Sequence, residues 1–188
     1  MLNLFTSFTR RLRRYAGDIG GVASIEMAFI FPAMVMVYFG LVDATNVLSA
    51  NRRVTLTAST LADLVTQAPG TITMSDIDDF FDASSAIMEP FNSSGISLEV
   101  YEFTTDGSGS PTLSWSYKNA GAGCGAAPTV DSQMQQLMTE GNDIVVARVC
   151  YTYHWVIGKI FGSAPMTLED QLVLRPRQTT SIDCTDCP

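Results

Sequence analysis

Histidine is scarce in this chain of 188 residues, which holds only His154. One histidine excludes an H-E-x-x-H zinc site, and neither a G-x-S-x-G elbow nor a phosphate-cradling Gly-Lys motif occurs. Positive charge is scarce too: 11 Lys and Arg stand against 19 Asp and Glu, a formal charge of −8. Four of those cations, Arg10, Arg11, Arg13 and Arg14, fall before the first acid, Asp18. Without residues 1–21 the chain keeps seven basic and eighteen acidic residues, a charge of −11. An acidic body gains nothing from a phosphate backbone, which argues against nucleic-acid binding through it. Charge of either sign is missing from Met27 to Val42, sixteen residues.

That uncharged run points to a membrane. Val22–Val42 is 21 residues, enough at helical rise to cross a bilayer core of ~30 Å. It has no polar stripe, whereas a surface helix of a soluble protein carries one. The arginines upstream predict a cytoplasmic N-terminus and an exported body. A cleaved export signal fits less well, because the apolar run is long and Val42-Asp43-Ala44 is a poor cleavage site.

From Asp43 to Ala68 the chain lacks both Gly and Pro. Val47, Val54 and Leu61 recur every seven residues, with Ala50 or Asn51, Ala58 and Val65 between them. This predicts an amphipathic stem that continues the span to about Gln67, a helix roughly 70 Å long. One apolar face on so long a helix suits packing against copies of itself. Pro32 would break a helix in water but is tolerated in a span, with or without a kink.

Glu26 stands where hydrocarbon begins. A carboxylate there costs a few kcal/mol unless it stays wet at the interface or meets a cation. A cut after Gly21 would give Val22 a new α-ammonium one helical turn from Glu26. That amine, on the same chain or a neighbouring one, is a fitting partner. An inter-subunit pair would also fix the axial register of two helices.

Gly21, Ala23, Glu26, Ala28, Pro32, Gly40 and Asp43 together form G-x-A-x-x-E-x-A-x-x-x-P, an apolar run, Gly and an acid. This pattern resembles the N-terminal signature of the TadE/TadG-like proteins of Tad-type pilus assembly, over about 35 residues. The glutamate five residues after glycine also resembles type IV prepilins. The resemblance implies prepilin-peptidase cleavage after Gly21 and a pilin-type role for Glu26. It also implies helix pairing through Val22, Glu26, Pro32 and Gly40. The chain's length resembles the short, pseudopilin-like members.

After Pro69-Gly70 the pattern changes. Ser75 is expected to cap a short helix, with Asp76, Asp78 and Asp79 in its first turn and Ile77, Phe80, Phe81, Ser84 and Ile87 or Met88 on one face. A calcium loop from Asp76, Asp78, Asp79 and Asp82 lacks the turn glycine and closing glutamate. Ile96, Leu98 and Val100 alternate with polar residues, Asp106–Pro111 supplies a turn, and Leu113, Trp115 and Tyr117 alternate again: a hairpin. A short helix over Thr129–Thr139, strands over Asp143–Val156 and Met166–Leu174, and an edge segment over Gln178–Ile182 complete an α+β body. Arg175-Pro176-Arg177 reads as a surface ion-pair site or a subunit contact.

Cys124, Cys150, Cys184 and Cys187 all follow the span, and an even number in an exported domain favours disulfides. Cys124–Cys150 with a local Cys184–Cys187 is the preferred pairing; joining the tail to Cys124 or Cys150 stays open. Asp183 and Asp186 flank the C-x-x-C pair and disfavour thiolate, so a redox centre is not expected. Zinc held by Cys150, His154, Cys184 and Cys187 would need a long tail excursion.

The expected organisation is a basic cytoplasmic leader (1–21), a transmembrane helix and amphipathic stem (22–67), and an exported α+β head with a small antiparallel sheet (68–188). The expected role is that of a membrane-anchored minor pilin or pseudopilin in Tad-type pilus assembly or initiation and surface attachment, with no catalysis, cofactor or metal. It would sit in a bacterial inner membrane with its body in the periplasm, or outside the cell in the pilus. Its partners would be the bilayer, other pilin-like subunits, the assembly machinery and a prepilin peptidase. The competing expectations are an exported, tethered binding module with its groove on the sheet, and a tethered thiol enzyme.

Overall fold

The computed structural model describes residues 20–106, 109–119, 123–138, 141–156, 158, 162 and 164–187. Residues 1–19 of the basic leader and most of the residues between Val156 and Ala164 lie outside the described residues. Helix α1 (Gly20–Thr66) runs unbroken for 47 residues and carries Pro32 inside it without ending there. The absence of Gly and Pro after Gly40 lets the span and the stem share one hydrogen-bond ladder. The chain divides into two compact units between Ala44 and Thr45, so the stem belongs to the same unit as the head.

Within the second unit the stem packs on a sheet. Ala50, Val54, Ala58, Leu61, Ala62 and Val65 are buried, the face marked out by the seven-residue recurrence. They join Leu98, Val100, Val145, Ala147 and Val149 in the main core. The stem's apolar face therefore meets the chain's own head, rather than only a second copy as the sequence suggested. Each such Val or Leu adds about 1.5–3 kcal/mol by leaving water.

The sheet has four strands in the order β3-β2-β4-β5, all antiparallel: β2 (Ile96–Thr105), β3 (Pro111–Lys118), β4 (Ile144–Tyr153) and β5 (Met166–Leu174). Val100 lies opposite Ala147, and Glu99 opposite Arg148. Alternation then sends Ile96, Leu98, Val100 and Glu102 to the stem side and Ser97, Glu99, Tyr101 and Phe103 to the other. The second face holds a smaller core in which Tyr101, Phe103, Ile144 and Val146 meet Met134 and Met138. Met134 comes from a short helix, α3 (Ser132–Leu137), whose first turn is capped by the Asp131 carboxylate accepting the N–H groups of Gln133 and Met134. The register slips between Glu102 and Phe103, where a bulge turns β3 so that Trp115 is buried and Leu113 is exposed.

Helix α2 (Met74–Ser85) is capped by Thr73, not by Ser75 as expected. Thr73 Oγ1 accepts the Asp76 N–H, and the Asp76 carboxylate accepts the Thr73 N–H at 2.9 Å, a reciprocal capping box. The Thr73 hydroxyl and N–H hold the Asp76 carboxyl below the usual carboxylate range. Ile77, Phe81 and Ser84 are its buried residues, and Phe81 stacks on Tyr117 of β3.

The tail makes its own small sheet instead of extending the main one. β6 (Asp183–Cys184) pairs in parallel with β1 (Thr71–Ile72). Gly70 turns the chain into β1 at φ 101, a conformation that strains any side chain. The end of α1 is closed by the segment after β5: Thr66 O accepts the Arg177 N–H at 3.0 Å, and Gln67 O accepts Gln178 Nε2 at 2.8 Å. The Arg177 guanidinium also pairs with Asp63.

Candidate functional site: an exposed apolar helix and a braced head

The first half of α1 is exposed on every side. Phe29 is 79% exposed, and Ile25, Met34, Val37 and Leu41 each exceed 60%. A window of mean hydropathy 2.0 with none of its surface buried passes the length and composition test for one membrane crossing. A helix that is apolar all round and unburied needs an apolar solvent or apolar partners. Glu26 lies exposed in its second turn. Gly21 and Gly40 have no atom within 4 Å of the place a Cβ would occupy. Among the described residues no packing requires glycine at Gly40.

The head carries charge inside it, and the geometry makes this structural. On the outer face of the sheet Arg148 is 8% and Glu99 1% exposed. Arg148 donates from Nε to Glu169 at 2.6 Å, from Nη1 to Ala126 O at 2.5 Å and from Nη2 to Cys124 O at 2.8 Å. Glu99 lies 4.0 Å from Arg148 Nη1 and accepts the Cys124 N–H at 2.8 Å and the Tyr101 hydroxyl at 2.9 Å. Burial and that bond to Glu99 push the Tyr101 hydroxyl up to about 12. Two Arg148 nitrogens and one Glu99 oxygen thus hold Cys124 and Ala126 against the sheet, where Cys124 is bonded to Cys150.

On the stem side a second buried acid, Glu102, holds the tail. It accepts the Ile182 N–H at 2.7 Å, while Trp115 Nε1 donates to Ile182 O at 2.7 Å. Ile182 is fully buried. Burial, more than the nearby Asp143 and Asp183 charges, pushes the Glu102 carboxyl up to about 7. Sequence reasoning missed both buried carboxylates; the signal was available for Glu102, an acid at an inward position of an alternating strand.

Cys184 is bonded to Cys187, so all four cysteines are in disulfides. The sulfurs lie near the Asp186 carboxylate, but oxidised sulfur offers no thiolate to a metal. Asp186 instead accepts the Met74 N–H at 2.8 Å, helping to fix α2. His154 is exposed and past the end of β4, away from the tail. The four aspartates of α2 lie on a helix rather than a loop. One face of the sheet carries the stem, and part of the other is covered by Met134 and Met138. The cleft nearest to the binding-module expectation lies beside the edge strand β3, has a volume of about 370 Å³ and is lined by Tyr101, Leu113, Tyr117 and Lys118 among others.

One apolar N-terminal helix followed by a small antiparallel α+β head fits a chain with a single-pass membrane anchor. Residues 21–63 match the family model described as TadE-like protein. The matched stretch takes in Glu26, Pro32 and Gly40 and ends within the stem, and the head lies beyond it. No curated protein and no solved structure matches the chain. The match covers 43 of the chain's 188 residues.

Proposed function

We propose that this chain is a membrane-anchored minor pilin or pseudopilin that acts by assembly, without catalysis, in building or initiating a Tad-type pilus used for attachment. The observation that carries this reading is the coincidence of the exposed apolar half of α1 with the start of the TadE-like match. In this reading the leader stays in the cytoplasm, a prepilin peptidase cuts after Gly21, and the head stands in the periplasm of a bacterial inner-membrane protein or on the filament. Glu26 then meets a positive partner, the α-ammonium of its own Val22 or of a neighbour's, and Gly40 lets helices approach.

Replacing Glu26 by Gln tests it. The variant keeps the anchor but loses the charge pair, so it is expected to reach the membrane at wild-type level while pilus number falls at least several-fold. Wild-type piliation with E26Q would favour the other reading, a tethered binding module working through the cleft beside β3.

A further inference from the structure

The stem keeps one face out of the head. Leu48, Arg52 and Leu56 recur every four residues, so they lie along one line of the helix, and with Ser49 they line a hollow on its surface. Leu48 is 61% and Leu56 56% exposed. The opposite face, with Ala50, Val54, Ala58 and Leu61, is spent on the core.

Charge marks the outward face as well. In a chain of 19 acids, residues 44–62 hold none, while Arg52 and Arg53 fall among them. Three other cations of the body are engaged: Arg148 with Glu99 and Glu169, Arg177 with Asp63, and Arg53 through Nη1 with Ile87 O at 2.6 Å. Arg52 is exposed, and among the described residues no ion pair or hydrogen bond engages its side chain. Two leucines with a free cation between them fit an acidic surface that has room for leucine.

The chain carries such a surface on α2. Asp79, Asp82, Ala83 and, at the helix end, Ala86 are exposed on one face, and among the described residues no cation pairs with either carboxylate. Its height fits too. The Arg53–Ile87 bond sets the end of α2 beside the stem at Arg53, and Asp82 and Asp79 precede Ile87 by five and eight residues, within about 12 Å along a helix. A neighbour standing parallel to this chain, shifted by no more than roughly that distance, brings its own acids to Arg52.

We infer that the outward face of the stem, through Leu48, Arg52 and Leu56, docks α2 of a second copy of this chain, with Arg52 between Asp79 and Asp82 and the leucines against Ala83 and Ala86. Exposed ion pairs add little affinity, so the leucines supply the burial while the charges select the partner and the axial shift. The inference rests on the reading that the chain acts by assembly, and adds a contact between copies made entirely by the stem and head.

The test is photocrosslinking in cells between two differently tagged forms of the full chain, one carrying benzoylphenylalanine at Ser49. Light is expected to join both tags in one band. R52E in the probe-bearing form, or D79K/D82K in the other, should each cut that band several-fold at unchanged membrane level. Setting the R52E form against the D79K/D82K form should restore most of it. No band between wild-type forms, a band indifferent to R52E, or a swap that restores nothing overturns the inference. A band holding only a different protein overturns it as well, and makes the occupant an acidic partner. If pili still require the chain in those cases, the assembly reading stands; if deleting the chain leaves pilus number unchanged, both fall.

Discussion

Glu102 and Ile182 are eighty residues apart, yet the carboxylate of one accepts the backbone N–H of the other at 2.7 Å inside the head. The bond fastens the tail to the central sheet through an acid that is 1% exposed and whose carboxyl is pushed up to about 7.

The raised value makes the head's stability depend on pH. Below 4.5, the group's ordinary value, the folded and unfolded states both hold the proton and this carboxyl costs the head nothing. Between 4.5 and about 7 only the folded state keeps it, so stability falls as pH rises, and it levels off above 7. Screening and relaxation reduce the effect to about 2 kcal/mol. Urea midpoints from pH 5 to 8 should drift downward in wild type. In Glu102→Gln, which still accepts the Ile182 N–H, that drift should largely vanish and the midpoint at pH 8 should exceed wild type.

Removing Arg148 should be far more costly than its removal from a surface would be. R148A leaves Glu99 buried without its cation and frees the carbonyls of Cys124 and Ala126, an expected loss of about 3–5 kcal/mol. R148K keeps the charge but not the fork that reaches Glu169 and two carbonyls at once, so it should fall between the two. Denaturant unfolding of the three proteins checks the order.

The two disulfides should differ in worth. Cys124–Cys150 closes a loop of sequence separation 26 and Cys184–Cys187 one of 3. Loop-closure entropy then predicts a loss of about 3 kcal/mol for C124S/C150S, against about 1–2 kcal/mol for C184S/C187S. Thermal unfolding of the paired variants measures both.

Gly40 separates folding from assembly. A Cβ there meets nothing within 4 Å among the described residues, so Gly40→Ala should leave membrane level and head unfolding unchanged. If helices pack closely at this point, the same variant should lower pilus yield, counted by electron microscopy of intact cells.

Much of this fold was legible because the signals are local. The unbroken helix followed from the lack of charge to Val42 and of Gly and Pro from Leu41 to Ala68, and β4 from the β-branched and aromatic run at Asp143–Val156. The stem's partner was not legible: a seven-residue recurrence states that a face is apolar, not what covers it, and here the chain's own sheet does. Ser75 looked like the cap because serine precedes three aspartates. Thr73 took the position because it can close a reciprocal pair with Asp76. The tail's parallel pairing with Thr71–Ile72 joins segments more than a hundred residues apart, beyond any local pattern. At the candidate site, Glu26 and Gly40 were readable as residue types out of place, whereas Arg148 and Glu99 gain meaning only when strand register sets them side by side.

The central claim, that the N-terminal apolar helix remains in the bilayer as an assembly surface led by Glu26, is tested most directly by the N-terminal residue of the protein recovered from washed membranes. The account predicts Val22, with the protein released by detergent but not by carbonate. A chain beginning at Ala44 or later and found free in solution would contradict it.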